Sequence, residues 1–176
     1  DRMATLITTQ ALDVGLQRVA VLNMPAITRT PRFQMVLASI TASAGATASA
    51  QSAALFDSWV SAYNSRLLAR LAGDSRVAVV DFQATLDAQV ASPATYGLSN
   101  ASTPACPVTG TGSDGLPTYT FATCTDAALA ASPPAGVTSS DWYKRYAFSD
   151  GFHPTPYGHQ LMADMIRKAL VAKGWL

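Results

Sequence analysis

The sequence predicts an α/β domain, on three observations. Stretches with helical periodicity alternate with short apolar runs, over residues 3–17 and 19–22 and again over residues 53–71 and 77–82. Those short runs are continuous instead of alternating, which suits strands covered on both faces in a parallel sheet. The 176 residues, 49% hydrophobic and only 13% charged, can bury the core of one domain, and they exclude intrinsic disorder.

Within residues 3–17, Met3, Leu6, Ile7, Leu12 and Leu16 recur near helical spacing. Val19 to Leu22 forms the first strand candidate, and Pro25 ends it. Residues 33–56 hold no charged side chain but are crowded with Ser, Thr, Gly and Gln. A spanning helix needs about 20 mostly apolar residues, so this stretch reads as an Ala/Ser-rich loop leading into a soluble helix. A lipid-touching surface segment is the alternative, and no integral membrane segment is expected. From 53 to 71, Leu55, Phe56, Trp59, Val60, Tyr63, Leu67, Leu68 and Leu71 give a second helical stripe, which Gly73 and Asp74 stop. Val77 to Phe82 is the second strand, and residues 83–90 add a short helix before Pro93.

Residues 93–141 change character, with Pro, Gly, Ser and Thr dominating and strand runs brief. A loop of this length in a compact domain is functional or tied down. The only two cysteines, Cys106 and Cys124, fall here. A disulfide between them is worth about 3 kcal/mol in the chain-entropy estimate and implies an oxidising, secreted or periplasmic location. Two free buried thiols are the alternative. In the closing residues, Tyr146 to Phe148 form a last short strand. A terminal helix follows, opened by Pro154 or Pro156, striped by Leu161, Met162, Met165, Ile166 and Leu170, and ended by Gly174. There is no internal repeat.

The formal net charge is +1, with nine Arg and three Lys scattered along the chain. That argues against nucleic acid as a partner. Two cysteines build no Cys-rich zinc site, and His153 and His159 lack a convincing third ligand, so no metal or cofactor is expected. Trp59, Trp142 and Trp175 read as packing residues and His159 as structural. The informative group is Asp150-Gly151-Phe152-His153, on a loop between a strand and a helix, where α/β sheets place their ligands. Residues three apart in a turn can face each other. The Asp150 carboxylate is then placed to accept from His153 Nδ1–H and leave Nε2 as a proton acceptor. Free imidazole titrates at about 6.5, close to what a base needs at neutral pH. The plain alternative is a helix-capping Asp beside a surface His. Phe152 is a candidate to line a substrate pocket beside that pair, with a core aromatic as the equal alternative.

SDGFHPT followed by YGH and an amphipathic terminal helix resembles the last signature block of the SGNH (GDSL) hydrolases. Earlier stretches extend the resemblance: VAVLNMPAITRTP is similar to a mid-domain strand and Pro-rich turn, and FDSWVSAYNSRLLARL to the helix that follows it. VAVVDFQATLDAQVASPATYGLSNASTPAC is similar to the Val-Asp strand, short helix and Tyr-Gly loop of secreted lipase and esterase members. The resemblance implies a three-layer α/β/α, flavodoxin-like fold with a parallel sheet. It also implies Asp150 and His153 as catalytic acid and base, an acyl-enzyme route, and an acyl ester or lipid as substrate.

That family also needs a nucleophilic Ser in a Gly-Asp-Ser block near the start, and a Gly and an Asn for the oxyanion hole. Gly73-Asp74-Ser75 spells the tripeptide after a helix and before a strand, and reads as a turn. Gly112 to Gly115 is another turn signal, and Asn64 belongs to the helix motif. The chain opens at Asp1 with no secretory signal in view. We therefore expect residues 1–176 to be the C-terminal part of one SGNH domain, with 93–141 as a disulfide-tied excursion and 149–176 as the catalytic loop and terminal helix. An N-terminal fragment of the same enzyme is the expected partner, supplying Ser, Gly and Asn. The rival readings are a non-catalytic binding module that keeps the fold, and an acyltransferase or polysaccharide O-deacetylase on the same scaffold.

Overall fold

A computed structural model describes residues 1–176. The chain opens with helix α1 (Arg2–Ile7), which winds on through a wider turn at Thr8–Leu12. Strand β1 (Val19–Leu22) follows, then α2 (Pro31–Leu71), β2 (Val77–Val80) and α3 (Phe82–Ala91). The excursion comes next, with β3 (Asn100–Pro104), β4 (Gly110–Thr111), β5 (Pro117–Thr118) and α4 (Asp126–Ala131). Strand β6 (Tyr146–Phe148) and helix α5 (Pro156–Ala172) close the chain.

β1 and β2 run parallel with Val19 opposite Val77 and Leu22 opposite Val80. A second parallel pair joins β3 to β6, and β4 and β5 form a small hairpin. The α/β class and the parallel strands expected from the sequence are present, divided between two short sheets. Ala4, Leu12, Val21, Leu67, Leu71 and Val77 make one core, and Leu86, Leu98, Ala101, Ala147 and Phe148 make a second beneath α5. Only 29 of the 176 residues are buried, so these cores are thin. β2 is largely buried whereas Ala20 of β1 is exposed, and each of the two strands has one neighbour only. The apolar stripe of α5 is likewise half-buried along its length.

The largest departure from the sequence reading is the stretch 33–56, expected as a loop and found helical. α2 starts at Pro31, is capped by the Thr30 hydroxyl, and continues to Leu71 with one break at Gly45, where φ is 87°. Alanine is the strongest helix former, which outweighs the serines and threonines here. Thr41 and Ser43 donate their hydroxyls back to carbonyls one turn earlier. No helix in the structure is long and apolar enough to cross a membrane.

Smaller corrections concern strand and tryptophan assignments. The second strand stops at Val80 because Asp81 caps α3, accepting from Ala84 N–H at 3.0 Å. Trp142 packs edge-on against Tyr143 and Tyr146, and its indole N–H donates to the Leu129 carbonyl at 2.8 Å. Trp59 is mostly exposed, touching Phe56 by its edge, so it is not a core residue.

Candidate active site

The segment from Ser149 to Thr155 is a tight loop folded back on β6. Ser149 N–H donates to the His153 carbonyl at 2.7 Å, and Thr155 N–H donates to the Ala147 carbonyl at 3.0 Å. The Thr155 hydroxyl caps α5 by accepting from Gly158 N–H at 3.0 Å, while Pro156 occupies the first turn. Gly158 has no room for a side chain, since a Cβ there would lie 2.7 Å from the Ala147 carbonyl oxygen. The loop is thus held at both ends by the strand it leaves and the helix it enters.

Within it, one carboxylate is used twice. Asp150 Oδ1 accepts the backbone N–H groups of Phe152 at 2.8 Å and His153 at 2.7 Å. Oδ2 lies 2.8 Å from His153 Nδ1. Burial pushes the Asp150 carboxyl upward, but the two backbone N–H groups and the His153 ring outweigh it and hold the group below its ordinary range. An ionised carboxylate only accepts, so Nδ1 is the donor, and in the neutral ring the lone pair falls on Nε2. The Asp150 side chain is 11% exposed and that of His153 is 65% exposed. The pair is therefore a fixed, buried anion carrying an open imidazole. A helix cap beside a surface histidine does not describe it, because Thr155 caps the helix.

Residues distant in sequence brace this loop. Arg32, in the first turn of α2, donates its backbone N–H to the Gly151 carbonyl at 2.9 Å. Its guanidinium donates to the Pro117 carbonyl at 2.8 Å and pairs with Asp114, tying the β4–β5 hairpin to the same place. Cys106 N–H donates to the Ser149 carbonyl at 2.7 Å, and Cys106 is disulfide-bonded to Cys124. The Phe121 ring stands edge-on to the His153 ring, centroids 5.5 Å apart. Burial and the Asp150 carboxylate push the Tyr119 phenol above its ordinary value, with Arg32 opposing. Arg32 and Phe121 were not picked out by sequence reasoning. A TPR tripeptide and a lone Phe in an uncharged loop carry no signal of what they approach.

The other expected site features can be placed individually. Phe152 is about half exposed beside His153 instead of buried in a core. His159 lies exposed on the first turn of α5. Gly73-Asp74-Ser75 is a turn at the amino end of β2, with Gly73 at φ 90°. There Asp74 accepts from Arg76 N–H at 2.9 Å and from Arg76 Nε–H, which lowers its carboxyl to about 2. Asn64 is buried, exchanging hydrogen bonds of 2.8 Å with both backbone groups of Met24 and donating to Gln83. It is a joint between α2, the loop after β1, and α3. A cavity of about 600 Å³ lies behind the loop, lined by Cys124, Leu129, Tyr143, Ser149, Thr155 and Tyr157, and does not include His153.

The fold and the site together define a class: an α/β protein with an oriented carboxylate–imidazole pair on a strand-to-helix loop. The family model described as GDSL-like Lipase/Acylhydrolase matches residues 2–166, and the chain belongs to that family. No curated protein matches the chain.

Proposed function

We propose that this chain carries the acid–base half of a serine ester hydrolase of the lipase and esterase kind. A Ser hydroxyl attacks the ester carbonyl while His153 Nε2 takes its proton. The tetrahedral oxyanion collapses, the bond to the alcohol oxygen breaks, and His153 returns the proton to the leaving alcohol. Water then repeats the sequence on the acyl-enzyme, releasing the acid and restoring Ser. Asp150 holds Nδ1–H in place and stabilises the imidazolium as it forms. Phe152 lines the acyl side of the site.

The observation that carries this reading is the 2.8 Å contact between Asp150 and His153, with the carboxylate locked by two backbone N–H groups and the ring open to its surroundings. The Ser, and the Gly and Asn of the oxyanion hole, are supplied by polypeptide outside these residues, an N-terminal part of the same enzyme. Two features support that: the second edge of β1 is unpaired, and the stripe of α5 is only half covered. An apolar parallel strand with a bare edge calls for a neighbour. The Cys106–Cys124 disulfide supports a secreted or periplasmic location.

Replacing His153 by Ala in the whole enzyme tests the reading. Hydrolysis of a short p-nitrophenyl ester should fall by about three or more orders of magnitude, and unchanged turnover would overturn the assignment. Asp150→Asn should also reduce turnover by orders of magnitude, since an amide seated on the same two backbone N–H groups turns its NH2 to His153 Nδ1 and imposes the wrong tautomer.

A further inference from the structure

Phe121 is the one aromatic side chain brought to His153 from a distant part of the chain, and its placement is held from both sides. Three residues after it, Cys124 is covalently fixed to Cys106, whose N–H is bonded to Ser149 at the root of the catalytic loop. Before it, Arg32 grips Pro117 and Asp114, and the hydroxyls of Thr109 and Thr120 join at 3.0 Å. Despite this anchoring, Phe121 is 56% exposed, and Phe152, next to His153 in the chain, is 51% exposed. An exposed aromatic ring thus stands edge-on to an exposed base whose chain neighbour is a second exposed aromatic, and the segment from Gly115 to Thr125 carries no charged side chain. Leaving such rings in water is unfavourable unless something apolar covers them.

We propose that Phe121 is a specificity-determining residue that, with Phe152, forms an apolar lip receiving the hydrocarbon chain of the ester beside His153. This rests on the reading of His153 given above and adds the substrate class: esters of medium-length aliphatic acids are preferred over acetyl esters. The disulfide and the Arg32 clamp act at one remove, holding the Phe121 ring where the chain passes.

The test is the chain-length ratio, kcat/KM for p-nitrophenyl octanoate over that for p-nitrophenyl acetate, measured on the whole enzyme. Phe121→Ala should lower the ratio about tenfold, the scale on which apolar contacts discriminate, with the change carried by KM for the octanoate. Phe121→Leu should restore most of it, which a ring acting only as structural filler would not do. Because Phe121 is exposed, both variants should keep the thermal midpoint of the parent. His153-dependent hydrolysis with an unchanged ratio in Phe121→Ala overturns the assignment of Phe121 alone. A parent enzyme whose hydrolysis does not depend on His153 removes the reading of the site and this inference with it.

Discussion

Gly151 and Arg32 meet backbone to backbone: Arg32 N–H donates to the Gly151 carbonyl at 2.9 Å, and a Cβ added to Gly151 would lie 2.9 Å from the Arg32 Cβ. The start of α2 and the loop that carries His153 are thus in contact with no side chain between them. Gly151→Ala forces one of the two to move. Displacement of a catalytic group by about 1 Å can cost about a hundredfold in rate, so kcat for a p-nitrophenyl ester should fall on that scale. Far-ultraviolet circular dichroism should be unaltered. Full activity in Gly151→Ala would show that the loop tolerates the shift.

Asn64 supplies the second joint. Its buried carboxamide satisfies both backbone groups of Met24, and Asn64→Ala removes both of those hydrogen bonds. Each lost hydrogen bond of this kind costs about 1 kcal/mol. A urea titration should show a loss of about 2 kcal/mol, and a midpoint equal to that of the parent would contradict the joint.

The disulfide should stabilise mainly through the unfolded chain. Replacing both Cys106 and Cys124 by Ser should lower the unfolding free energy by about 3 kcal/mol, measured against the parent without reductant. An equal effect of dithiothreitol on the parent, with none on the double variant, would tie the loss to the bond itself.

For Asp150, whose carboxyl is held below its ordinary value, the linkage has a definite sign. The folded state binds the proton less readily than the unfolded chain does. The resulting stabilisation is complete above the unfolded value of about 3.9 and is lost as pH falls through the lower folded value. Carbon-13 NMR of the Asp150 carboxyl should therefore give a midpoint below that of free aspartate, and in His153→Ala the midpoint should move upward. A midpoint above 3.9 in the parent would mean that burial dominates and the carboxylate is not ionised by its partners.

Much of this architecture was legible in the chain, because the relevant forces are local. Continuous runs such as Val19–Leu22 and the stop at Gly73-Asp74 are short-range signals, and the structure has the strand and the turn at those places. Asp150 and His153 were legible as a pair because the four residues of one turn carry both the carboxylate and the ring. The helix over 33–56 was missed because a surface helix rich in Ala and Ser has no apolar stripe to announce it. Arg32 and Phe121 were missed for another reason. They reach the site through long-range folding of α2 and the hairpin, and a single sequence does not encode that proximity in any local pattern.

The central claim is that His153 activates a hydroxyl supplied from outside these 176 residues. The most direct measurement is fluorophosphonate labelling of the active enzyme, followed by mapping of the adduct by mass spectrometry. The account predicts a single labelled Ser on polypeptide beyond this chain, with labelling abolished in His153→Ala. An adduct on a Ser within the chain, Ser75 for example, or an active enzyme that takes no label, would contradict it.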